Sequence, residues 1–395
     1  MIKKKLTIST RDLLALFLIF QFIPIYGITQ IITVRLYNLV SMFVSICIIL
    51  FYLLKKQKWD STLILWLIYT FVLVFSCFLN RRTPFFAVLY GVRVLAFLVV
   101  NRYYLKRGRL EFLSVTRAFM TVVLFVTVAQ QFLNQGYYGM TSGGNYETIF
   151  ISDNYLGYFY TAYIALCVVL DIGKRNEISK WTYFVSAVCL ISVTRSWAVK
   201  SVIGLAVVLL YMVFVYGKKS AEFFTQKKLI VAYVAIYVLV VFIGLAGDTI
   251  SGILEWFGKD LSLSGRYYIW YSTINNIRKS PIYGYGVDST GLMSINEFTR
   301  GRLISSHNMF MEVVIQTGFI GLFGYLAFLV LSFIKGSKRA SFYGKTTYYE
   351  YLFLIFTVFM IFIMGIASPT IYQPFYYMPL LLLENLSSIE ALRRK

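Results

Sequence analysis

Apolar runs of membrane-spanning length recur along the whole of this 395-residue chain, and that repetition limits its fold more than any other feature. A run such as "STLILWLIYTFVLVFSCFL" meets the roughly 20 residues that an α-helix needs to cross a bilayer. In lipid every backbone polar group needs a partner within the chain, which leaves helices for a sequence patterned in long runs. Hydrophobic residues make up 59% of the chain and charged residues 14%, a balance far more apolar than a soluble domain needs. The spacing predicts an all-α polytopic membrane protein, a single transmembrane domain over residues 1–395. About twelve spans are expected, near 13–32, 36–54, 61–79, 84–100, 114–133, 154–171, 181–195, 198–216, 229–247, 307–334, 350–368 and 371–388.

The net charge of +21 could suggest a nucleic-acid binder, but its distribution excludes one. Lysines and arginines fall in short clusters between the apolar runs. Starting with the amino terminus inside, every inside segment carries at least three cations, from Lys3–Lys4–Lys5 to Arg393–Arg394–Lys395. Such a bias sets orientation and puts both termini in the cytoplasm. The basic start "MIKKKLTISTRDLL" is followed by no small-residue cleavage site, so the first span is expected to be retained. The cysteines Cys47, Cys77, Cys167 and Cys189 lie inside apolar runs without metal-ligand spacing. With one histidine in the chain, no metal site and no cofactor is expected.

Two outer loops are long. The first, 134–153, has no lysine or arginine and is rich in Gly, Asn, Ser and Tyr. The second, 248–306, holds "RYYIWYSTINNIRKSP", where Tyr267, Trp270, Tyr271, Ile274 and Ile277 fall on one helical face. Pro281 ends that helix, and its aromatic face suits the membrane–water interface.

Several ionisable groups sit where lipid makes them costly. Residues 181–216 must hold two spans in fewer than the roughly 40 residues that two crossings need. The turn carrying Arg195 and Lys200 is therefore drawn below the outer surface. A cation there either snorkels or serves an anion site. Arg93 lies deeper, at mid-span. It is either one half of an ion pair, with Glu312 a candidate partner, or ligand-facing. His307 opens the tenth span inside "SSHN". It is either a hydrogen-bonded cap or a general base, its ordinary pKa lying near neutrality. Arg266, alone, would be a solvated loop charge. Together, two guanidiniums can clamp a diphosphate and a neutral imidazole can take a proton from an attacking hydroxyl.

The segments "SVTRSWAVKSVIGLAVVLL", "LSGRYYIW", "KSPIYGYGVDSTG" and "SSHNMFMEVVIQTGFIGLFGYLAFL" occur in that order. Together they resemble the O-antigen ligase and O-antigen polymerase superfamily of bacterial membrane glycosyltransferases. The resemblance covers about residues 150–330, with "SDNYLGYF" a weaker match. An acid often seen further along the His-Asn helix is Gln316 here, although Glu312 is present.

The resemblance implies a metal-independent transferase of the bacterial cytoplasmic (inner) membrane, its active site on the extracytoplasmic side. Its donor would be a glycan on undecaprenyl diphosphate. Arg195 and Arg266 would hold the diphosphate, and His307 would activate the acceptor hydroxyl for attack with inversion. Arg93, Lys200, Asn154, Tyr285, Asn308 and Glu312 are the further candidates for substrate binding. The expected partners are the lipid-linked donor and acceptor, membrane lipids, a chain-length regulator and a flippase. A polymerase, which hands the glycan to another lipid-linked repeat unit, is favoured over a ligase by the 32 Tyr and 35 Phe, whose faces stack on sugars. The rival from another class is a lipid-linked oligosaccharide flippase.

Overall fold

A computed structural model describes residues 10–22, 34–107, 111–133, 139–140, 146–147, 150, 153–196, 198–246, 266–287, 294–295, 303–340, 344–368 and 371–393. The described residues are helical almost throughout. In order come α1 (Thr10–Phe20), α2 (Val34–Leu54), α3 (Ser61–Leu79), α4 (Phe85–Lys106), α5 (Glu111–Leu133), α6 (Asp153–Arg175) and α7 (Lys180–Arg195). They are followed by α8 (Val199–Leu210), α9 (Gln226–Ala246), α10 (Arg266–Lys279), α11 (Met309–Ala340), α12 (Lys345–Gly365) and α13 (Met378–Arg393). Two antiparallel pairs of two-residue strands, Gly139–Met140 with Tyr146–Glu147 and Ser294–Ile295 with Leu303–Ile304, fall in the two long loops.

Each expected span overlaps one helix, and α10 is the additional, amphipathic one. Among the described residues, seven helices are long and apolar enough to cross a membrane: α2, α3, α4, α5, α6, α11 and α12. A helix that is apolar all round belongs inside a bundle. That is the place of α6, buried over almost its whole length between α5, α7, α8, α12 and α13. By contrast α2 lies at the edge against α4, with Phe43, Leu50 and Leu54 exposed as a lipid-facing stripe would be. Of the cysteines, Cys77, Cys167 and Cys189 are buried and Cys47 is exposed.

One end of the bundle is tied by charge. Arg102 near the end of α4 is buried, donates to Asp60 at 2.6 Å, and pairs with Glu384 of α13. Lys335 of α11 reaches Asp60 at 3.3 Å. Asp60 also caps α3, accepting from the backbone N–H groups of Thr62 and Leu63, as capping aspartates do. The charge pattern assigns Asp60, Arg102 and Lys335 to the same side of the membrane, and the fold gathers them at one end. Arg117 of α5 pairs separately with Asp171 of α6 at 3.3 Å.

The expected span over 307–334 coincides with one candidate crossing, Met309–Lys338, but its helix is not continuous. α11 is broken at Gly318, whose φ of 64° and ψ of −168° leave the helical region. The break is filled by another segment. The backbone N–H groups of Tyr285 and Gly286 donate to the carbonyls of Ile315 and Gln316, at 2.8 and 2.7 Å. Past the break, Phe319 N–H donates to the Pro281 carbonyl at 2.8 Å. The carbonyls and N–H groups freed by the break thus find partners, as buried backbone requires. Gly284 and Gly286 have φ of 65° and 75°. A Cβ on Gly318 would lie 2.1 Å from the Ile282 oxygen, and one on Gly284 2.6 Å from the Thr317 nitrogen. Only glycine permits both the left-handed backbone and this approach. The stretch after the break, 319–340, is about 33 Å long at the usual rise and suffices to cross a bilayer. The stretch before it, 309–317, does not.

Candidate functional site

The residues before α11 turn tightly. Asn308 caps the helix: its Oδ1 accepts from Met311 N–H at 3.1 Å. Ser306 donates its hydroxyl to the Asn308 carbonyl at 2.8 Å and its N–H to Glu312 Oε2 at 2.6 Å. His307 donates its N–H to Ser305 Oγ at 2.9 Å. Its backbone is left-handed, with φ of 50°, an unusual state for a non-glycine residue that occurs where surrounding bonds enforce it. Asn308, the neighbour of the histidine, holds the helix start. His307 is half-buried between three buried residues, Ser305, Ser306 and Asn308.

Asn308 and Lys200 meet on one ledge. The Asn308 amide donates to the Ile366 carbonyl at 3.2 Å, and Lys200 Nζ to the next one, Ala367, at 3.4 Å. Lys200 also lies over the Tyr158 ring, 5.7 Å from its centre, a cation–π placement. It comes from the first turn of α8, which crosses α6 so closely that a Cβ on Gly157 would lie 2.4 Å from Ser201 Oγ. The starts of α6, α8 and α11 and the end of α12 therefore converge. Asn154 stands at the α6 start by its backbone, and its side chain lies outside the described residues.

Glu312, fully buried, faces inward from the first turn of α11. Besides Ser306 N–H it accepts from Gln316 Nε2 at 2.7 Å. Gln316 in turn accepts from the Tyr372 hydroxyl, which lies 3.4 Å from that of Tyr69. Arg93 is buried in α4 and its guanidinium donates to the carbonyls of Gln21 and Phe22, past the end of α1, at 3.2 and 3.4 Å. Those carbonyls are its described partners, and of the two readings of Arg93 an ion pair with Glu312 is not among the described contacts.

The two arginines expected on the diphosphate differ in what the fold shows. Arg195 ends α7, is exposed, and rests 5.9 Å from the centre of the Phe132 ring. One turn earlier a buried cluster fixes the helix: Ser192 donates to Gln131 Oε1 at 2.8 Å and lies 2.9 Å from the Tyr160 hydroxyl. Arg266 begins α10 by its backbone, and its side chain lies outside the described residues. One turn on, Ile269 and Trp270 are buried against Met311. The first turns of α10 and α11 therefore lie side by side. The aromatic face expected at the membrane surface divides: Trp270 is buried, Ile274 and Ile277 turn towards α9 and α11, and Tyr271 is exposed. Tyr285, half-buried, donates its hydroxyl to the Asn276 carbonyl at 3.0 Å.

Sequence reasoning missed Tyr237. Its hydroxyl donates to Asn308 Oδ1 at 3.1 Å from α9. It also missed the ledge, because backbone carbonyls leave no trace in residue types. Beside Tyr237 an apolar cleft of about 600 Å³ opens between α9, α10 and α11, lined by Tyr233, Ile274, Phe310, Val314 and Leu322 among others. Among the described residues no three His, Cys, Asp or Glu side chains gather as metal donors.

Two comparisons bear on this site. Residues 182–326 match a family model described as O-antigen ligase. The chain is also similar to the exopolysaccharide production protein ExoQ of Rhizobium meliloti, 30% identical over 217 residues. That match covers 50% of this chain and 48% of the relative, so it spans about half the relative's length. The family match contains Arg195, Lys200, Arg266, Tyr285, His307, Asn308 and Glu312. It leaves out Arg93, Asn154 and the 366–372 segment.

Proposed function

We propose that the chain, similar over residues 182–326 to the O-antigen ligase family, is a repeat-unit polymerase of the O-antigen ligase and polymerase superfamily. It would transfer an undecaprenyl-diphosphate-linked glycan to an acceptor sugar hydroxyl on the outer face of the membrane. The observation that carries this reading is the setting of His307. The chain's sole imidazole belongs to a left-handed residue next to Asn308, which shares a ledge of carbonyls with Lys200, and the helix it leads into packs against the start of the Arg266 helix.

In this reading the neutral imidazole takes the proton of the acceptor hydroxyl as its oxygen attacks the anomeric carbon. The bond from that carbon to the diphosphate oxygen breaks, and attack from the opposite face inverts the centre. The leaving diphosphate carries the growing charge, which Arg266, Arg195 and Lys200 offset. Fixed cations aimed at developing charge supply much of the rate in such sites. The apolar cleft beside Tyr237 suits the isoprenoid tail, because the donor then need not leave the lipid. Twelve crossings with both termini inside accord with this arrangement, since they put Asn308, Lys200 and the α10 start on the outer side.

The family description favours a second reading, ligase-type transfer to a different acceptor lipid or wall polymer. Incubating the purified protein with a lipid-diphosphate repeat unit alone separates the two. A ladder of products means polymerase. Products formed only after a second acceptor lipid is added mean ligase. No transfer under either condition would defeat both.

A further inference from the structure

The turn that fills the α11 break is anchored on α3, a helix that the family match does not reach. Asn80 follows α3 and donates its side-chain amide to the Gly284 carbonyl at 3.0 Å and to the Ser76 carbonyl at 2.8 Å. The Ser76 hydroxyl donates to the Tyr283 carbonyl. Val287 N–H donates to Cys77 Sγ at 3.2 Å. A Cβ on Gly286 would lie 2.8 Å from the Cys77 Cα, so the turn lies flat against the α3 backbone.

One short turn therefore holds three things: the end of α3, the end of α10 and the break of α11. From it α10 leads back to Arg266, and the first stretch of α11 leads back to His307. The two starts touch through Ile269, Trp270 and Met311. The turn sets how far each helix start reaches, and α3 sets where the turn sits.

We infer that Asn80 is a positioning residue for glycan transfer: through the Gly284 carbonyl it fixes the turn that sets the Arg266 helix start against the His307 helix start. This rests on the reading of His307 as base and Arg266 as diphosphate ligand. A merely structural Asn80 would change how much protein folds. A positioning Asn80 changes the rate of each folded molecule, because misplacing reacting groups by about 1 Å can cost a hundred-fold.

The test compares purified full-length wild type, Asn80→Ala, Asn80→Asp and His307→Ala on a lipid-diphosphate repeat unit, with folded protein counted by size exclusion. For Asn80→Ala, kcat per folded molecule is expected to fall roughly ten- to a hundred-fold, with the donor KM little changed. Asn80→Asp is expected to match it at neutral pH, because a carboxylate cannot donate to a carbonyl. Its rate relative to wild type at each pH should then recover as acidification protonates the side chain. A wild-type kcat in Asn80→Ala, or a loss only in proportion to folded protein, overturns the inference. So does an Asn80→Asp ratio that stays flat with pH. If His307→Ala is inactive while Asn80→Ala is normal, only the positioning role fails. If His307→Ala turns over normally, the reading of the site itself fails.

Discussion

A single left-handed residue organises this site. His307 takes φ of 50° because the bonds around it leave no other course: Ser305 receives its N–H, Ser306 bonds across it, and Asn308 already caps the helix. The turn thus fixes the His307 backbone at the start of α11. Replacement by alanine is expected to lower transfer by roughly a hundred- to ten-thousand-fold, the usual contribution of a general base. Folding and insertion should be kept, and chain length of the polysaccharide on a gel provides the check; high-molecular-weight product in that variant would remove the base. Arg195→Lys is expected to cost at least about ten-fold in kcat/KM, since a point charge does not reproduce a guanidinium fork on a diphosphate. Unchanged kinetics would reduce Arg195 to its contact with Phe132.

At the level of elements, the discontinuity of α11 matters most. A continuous helix would bury the Ile315 and Gln316 carbonyls in its own ladder and leave the Tyr285 and Gly286 N–H groups without their partners. Gly318→Ala forces the issue. Backbone at φ of 64° and ψ of −168° is open essentially to glycine alone and costs a residue with a Cβ about 1–3 kcal/mol, and here the Cβ would also meet the Ile282 oxygen at 2.1 Å. The expected result is expulsion of the turn, seen as new proteolytic cutting between residues 280 and 287 and loss of transfer. Gly324→Ala, where a Cβ meets nothing within 4 Å, serves as the control and should keep both properties.

Across the whole molecule, charge and glycine act at opposite ends. Removing Arg102 by Arg102→Ala would strand the buried Glu384 and is expected to cost about 3–5 kcal/mol, as breaking a buried ion pair does. Lys335→Ala, at a partly exposed site, should cost under about 1 kcal/mol; thermal unfolding in detergent ranks the two. Burial pushes the Asp60 carboxyl up, but the Arg102 guanidinium, Thr62 and Lys335 outweigh it and hold its pKa at about 2 against 3.8. A depressed carboxylate contributes fully above its unfolded pKa and loses that contribution as pH falls towards the folded one. Stability should therefore stay level through neutrality and fall between about pH 4 and about pH 2, a slope that Asp60→Asn removes.

By itself the sequence determined the helical class, because runs of that length allow little else in lipid. It also marked the places where polar chemistry interrupts those runs: His307 with Asn308, Arg195 with Lys200, the Arg266 helix and the Gly-Tyr turn. These were legible because a polar group amid apolar residues stands out against its surroundings. The tertiary structure alone decided that Arg93 bonds to carbonyls past α1, that Asn308 caps α11, and that the turn and the Gly318 break are one feature. Each depends on which backbone groups meet across distant stretches of chain. Backbone groups are the same in every residue, so their partners become visible only once the helices are packed.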